Sequence, residues 1–113
     1  MNESRLEKRL RYALKCSRIV WRKPTKHTFA SVDPKGGTAT IRLPPELDDD
    51  YTLRTLLHEL MHISIHAELG AFGAFEEDIM IRVLEPRMMG WLTEHPRHQA
   101  WWLKKLRVAR EGK

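Results

Sequence analysis

The stretch "TLLHELMHISIHAELG", residues 55–70, constrains the fold more than any other part of the chain. Leu53, Leu56, Leu57, Leu60, Met61 and Ile65 recur at helical spacing and cover much of the circumference. A helix that is apolar on so many sides has to be enclosed by others. The preceding "ELDDD" at 46–50 supplies acids, which suit a helix N-terminus because of its dipole and free amides. Gly70 suits the C-terminal cap. The pattern predicts a central helix over 49–69.

Around it the chain reads as a short series of elements. Leu6, Leu10, Ala13, Leu14 and Val20 form an apolar stripe that predicts a helix over 3–22, closed by Pro24. "KHTFASV" at 26–32 and "TATIRL" at 38–43 alternate like strands, and "DPKGG" between them has turn chemistry, so the two predict a hairpin. Pro44 and Pro45 stop the second strand and suggest a sheet edge. After the "GAFGAF" corner, a helix over 75–93 has Ile79, Met80, Val83 and Leu84 as its expected buried face, with a kink at Pro86. "QAWWLKKLRVAR", after Pro96, predicts a last helix that is amphipathic and basic, with Trp101, Trp102, Leu103 and Leu106 packing inward.

At 113 residues, these elements fit one domain spanning 1–113. A 42% hydrophobic and 31% charged composition excludes disorder. No apolar run reaches the roughly 20 residues that span a bilayer, and "MNESRLEKRLRYALK" has no apolar core like a signal peptide's. The single cysteine, Cys16, cannot form an intrachain disulfide. The expectation is a cytoplasmic protein with no membrane partner. Its net charge of +5 is unevenly spread: residues 1–26 carry +7, 27–94 carry −7 and 95–113 carry +5. The acidic middle suits a bound dication. The basic ends suit either solvation or an acidic partner such as nucleic acid.

His58-Glu59-Leu60-Met61-His62 has the H-E-x-x-H spacing. On a helix, residues four apart share a face, roughly 6 Å apart along the axis, so two imidazoles can meet on one tetrahedral Zn²⁺. Glu59 lies beside that pair, off the metal but able to reach a metal-bound water as general base. His66 continues the series but starts roughly 12 Å from His58, too far to share an ion on a straight helix. A third ligand must come from elsewhere, because a catalytic zinc site takes three protein ligands and leaves one position open. His95 and His98 are distant candidates. Glu76 and Glu77 are the better ones, at the start of the next helix after a short corner. Glu76 shares the expected inward face with Ile79 and Val83, and Glu77 is rotated about 100° from it. Asp78 is either a solvated acid or a hydrogen-bond partner for a ligand histidine.

With its corner and the following "FEEDI", "TLLHELMH" resembles the short gluzincin-type metallopeptidases, or minigluzincins. The ImmA/IrrE-like peptidases and the small zincin-like proteins of phages and prophages share that plan. Over roughly residues 26–86, the resemblance implies an α+β, zincin-like minimal domain. It would comprise an N-terminal helix, a small curved antiparallel or mixed sheet, an active-site helix, a glutamate-bearing helix and a C-terminal helix. It further implies a hydrolase that cleaves a protein or peptide substrate. His58 and His62 would be ligands of Zn²⁺, with Glu76 or Glu77 as the third, and Glu59 would be the catalytic base. "TATIRL" would be the edge strand that pairs with an extended substrate. Tyr51, Arg54, His66, Arg82 and His95 are candidate donors to the developing oxyanion. The chain departs from the ImmA/IrrE pattern at Met61, where a glycine is usual, and in the short run from His62 to the glutamates. It also has no third histidine at the spacing of the SprT-like group. From a different class, the residues also suit a non-catalytic zinc-bound or metal-free interaction module whose basic terminal helices meet nucleic acid.

Overall fold

A computed structural model describes residues 3–21, 30–32, 39–43, 48–69 and 74–111. The enclosed helix is α2 (Asp49–Leu69). Asp48 Oδ1 accepts the Tyr51 amide at 2.8 Å, and the Asp48 carbonyl accepts the Thr52 amide at 2.9 Å; together they form an N-cap and the first helical bond. Leu53, Leu56, Leu57 and Leu60 are fully buried, with Met61 and Ile65 nearly so. The elements around them are α1 (Glu3–Lys15), α3 (Ala74–Glu94), α4 (Pro96–Glu111) and β3 (Ala39–Leu43).

This architecture corrects the α+β class inferred from the resemblance. The protein is mostly helical: its helices run to 13, 21, 21 and 16 residues, its strands to only 5, 3 and 5. Strands so short offer few side chains to a core. Among the described residues only Trp21, Ile41 and Leu43 bring strand side chains into the buried apolar cluster. The core is formed by helices packing on helices, and the curved sheet expected as the scaffold is replaced by a small patch at one side.

In that patch β1 (Ser17–Trp21) lies parallel to β3, with Ser17 opposite Ala39 and Trp21 opposite Leu43. β2 (Ala30–Val32) lies antiparallel to β3 on its other side, with Val32 opposite Ala39. Two expectations change. The first helix ends at Lys15, not at residue 22, because Ile19, Val20 and Trp21 have the β-branched and aromatic character that suits a paired strand. β3 is the central strand, not an edge, so it cannot add a substrate strand. The turn 33–37, Pro24, Pro44, Pro45 and Gly70 lie outside the described residues.

α3 runs unbroken through Pro86. Its fully buried residues are Ile81, Met88 and Leu92; of the expected face, Met80 and Leu84 are half-buried against the core, whereas Ile79 and Val83 are 45% and 54% exposed. The helix carries apolar residues on both sides, so packing on α2, not sequence pattern, selects the inner one.

α1 and α4 are joined by a buried polar knot. The Glu7 carboxylate accepts from Arg11 Nη2 at 3.1 Å, His98 Nδ1 at 2.9 Å and Trp102 Nε1 at 3.2 Å. Trp102 and Leu106 are buried, while Trp101 and Leu103 are half-buried. Trp21 Nε1 donates to the Ala109 carbonyl at 3.2 Å, and Arg110 Nη1 donates to Asp49 Oδ1 at 3.0 Å, which fastens α4 to β1 and to the start of α2. Among the described residues, no helix is long and apolar enough to cross a membrane.

Candidate functional site

His58 and His62 stand one turn apart on α2 with ring centroids 5.0 Å apart and planes at 66°. Both face α3. His62 Nδ1 lies 3.3 Å from Glu77 Oε1, and His58 Nδ1 lies 3.0 Å from Glu85 Oε2. The pairing is antiparallel: the earlier histidine meets the later glutamate. With Nδ1 protonated, His58 donates to Glu85 and keeps the Nε2 lone pair, while His62 Nδ1 lies within ion-pair distance of Glu77. Carboxylates orient zinc-binding imidazoles in this way.

Two imidazoles and two carboxylates are chemically suitable donors for zinc. They are arranged as two pairs. The glutamates are eight residues apart on α3, roughly 12 Å along the axis, and the histidines four apart on α2, roughly 6 Å. The pairs therefore diverge, and among the described residues no three His, Cys, Asp or Glu side chains form a group that could hold a metal ion.

Glu59 is on α2 between the two rings in sequence. Burial pushes its carboxyl above the usual carboxylate range, and the nearby His58 and His62 pull it partly back. It lines an open cleft of about 260 Å³ together with Tyr51, Arg54, Thr55, His58 and Glu85. Arg54 Nε is 3.7 Å from Glu85 Oε1. Thr55 Oγ1 donates to the Tyr51 carbonyl at 2.9 Å, which leaves the Tyr51 ring, 52% exposed, at the mouth.

The remaining sequence candidates divide cleanly. Glu76 is exposed on α3, one residue off the register that faces the histidines, and Asp78 and Arg82 are also exposed. His95 donates from Nδ1 to the Trp91 carbonyl at 2.7 Å and stacks on the Trp91 ring at 4.2 Å. His98 is held by Glu7. The side chain of His66 lies outside the described residues. Glu85 is the acid that sequence reading missed. Its signal is its register: Glu77, Ile81, Glu85, Met88 and Leu92 fall on one helical face, which the competing apolar pair Ile79 and Val83 hides in the sequence.

Compared with protein-family models, with curated proteins and with solved structures, the chain matches none.

Proposed function

We propose that this protein is a cytoplasmic, zinc-dependent metallopeptidase that hydrolyses peptide bonds of a protein substrate. The observation that carries this reading is the combination on α2 and α3. An H-E-x-x-H segment has both imidazoles backed by carboxylates, and its glutamate, raised in pKa by burial, lines an open cleft. In this reading His58 and His62 would hold the ion, Glu77 would complete the set only by turning its carboxylate away from His62 Nδ1, and Glu85 would orient His58. A zinc ion there would supply a Lewis acid and a bound water of lowered pKa. Glu59 would take a proton from the attacking water on its carboxylate and pass it to the leaving amine as the peptide C–N bond breaks. Arg54 and Tyr51, from the same cleft, orient the peptide carbonyl.

The test combines metal analysis and turnover. The purified protein is expected to carry one zinc and to cleave unfolded protein substrates, and Glu59→Gln is expected to keep the zinc and lose the cleavage. Protein that neither carries zinc nor gains melting temperature on its addition would remove the metal. A Glu59→Gln variant as active as the parent would remove the catalytic role and leave a binding module.

A further inference from the structure

We propose that α1 and α4 together form a binding surface for single-stranded nucleic acid, separate from the α2–α3 cleft. Each helix presents a stripe at the same spacing. On α1 it is Lys8, Arg11, Tyr12 and Lys15; on α4 it is Trp101, Lys104, Lys105 and Val108. Residues at i, i+3, i+4 and i+7 share one helical face. The two stripes are joined side by side. The Arg11 guanidinium lies 4.0 Å over the Trp101 ring, and Lys105 Nζ lies 5.3 Å over the same ring. Arg11 and Trp101 therefore form the seam of one continuous face.

The charge on this face is of one sign. The acids of α1 are Glu3, bound by Arg87 at 2.6 Å, and Glu7, buried in the knot with Arg11 and His98. The sole acid of α4 is Glu111, at its far end. A helix surface that serves only solubility normally interleaves both signs. Lys8, Lys15, Lys104 and Lys105 are exposed, and Tyr12 projects 70% of its surface into solvent between Lys8 and Lys15. Exposed aromatics amid cations suit single strands, since bases stack on the rings and phosphates pair with the ammonium groups. Duplex DNA would engage the lysines but would offer no free base to Tyr12.

The test is fluorescence anisotropy with a labelled, mixed-sequence 20-nucleotide DNA, the matching duplex, and vesicles containing anionic lipid. Binding to the single strand is expected, with a log–log salt slope near −3 if the four lysines each meet a phosphate, at about −0.7 apiece. Lys104→Gln/Lys105→Gln should flatten that slope by about 1.4 and weaken binding at least tenfold at moderate salt. Tyr12→Ala should weaken it about tenfold with the slope unchanged, because stacking is not ionic. All the substitutions are on exposed side chains, and circular dichroism and melting temperature would verify the fold. No binding to the strand at low salt, equal binding of duplex and strand, or vesicle binding alone would each overturn the proposal, as would indifference to both the lysine and tyrosine substitutions.

Discussion

Histidine meets glutamate in two regions of this protein, with opposite outcomes. In the α1–α4 knot the Glu7 side chain is 4% exposed and is shared by His98, Arg11 and Trp102. Three donors share one carboxylate that is closed to solvent, so the cluster holds two helices together. In the α2–α3 cleft His58 and His62 are 37% and 32% exposed, and each has one carboxylate. The rings are no more open than that of His98, at 39%; the difference lies in the acids, since Glu85 and Glu77 are 20% and 15% exposed against 4% for Glu7. The same two side-chain types are structural where donors crowd a buried acid, and open to chemistry where the acids stay partly in solvent.

The largest effect that would sharpen this contrast is on turnover. Glu59→Gln should reduce peptide hydrolysis by about 10²–10⁴-fold, the usual contribution of a general base, with zinc content unchanged. Next comes stability. Glu7→Ala strands its partners in the knot and should cost about 3 kcal/mol in urea unfolding while leaving zinc binding as it was. A cost below about 1 kcal/mol would break the contrast, since it would make the knot no more than a surface pair. Glu85→Gln should do the reverse: little change in the unfolding midpoint, but a 10–100-fold loss of zinc affinity in chelator competition. If Glu85→Gln unfolds the protein and spares the zinc, the cleft is structural as well.

The smallest effect is on pH dependence. Burial raises the Glu59 pKa in the folded state above its unfolded value, so the folded protein binds that proton more tightly. Stability is therefore lost as pH rises from the ordinary carboxylate range of about 4 through the folded value. Gln at position 59 cannot ionise and escapes the loss. In metal-free protein, the melting temperature of Glu59→Gln should exceed wild type at pH 7, and the excess should vanish at pH 4 and below. An excess that stayed constant with pH would mean that Glu59 is not desolvated.

What the sequence makes legible follows from where the information lies. α2 can be read directly because its apolar circumference, its Asp48 cap and its acidic first turn all specify one element. The spacing of His58, Glu59 and His62 is legible for the same reason: all three sit on that helix. β1 is not legible, since Val20 continues the helical stripe of α1 and only pairing with β3 makes the segment a strand. The α3 half of the site is hidden in a similar way. Ile79 and Val83 compete with Ile81 and Met88 for the interior, and the outcome decides whether Glu76 or the Glu77–Glu85 pair faces the histidines.

The Glu7 knot also sets an order of assembly. Its carboxylate is 91 residues from His98 and 95 from Trp102. On a ribosome α1 emerges well before α4, and until α4 follows Glu7 has Arg11 alone for company. Docking α1 in that interval would bury an under-partnered charge, and the nascent chain does better to leave the helix in water. The same delay holds for Trp21, whose carbonyl acceptor at Ala109 lies 88 residues on. Closure of the knot thus waits for α4, and α1 meets its last partners only when that helix arrives.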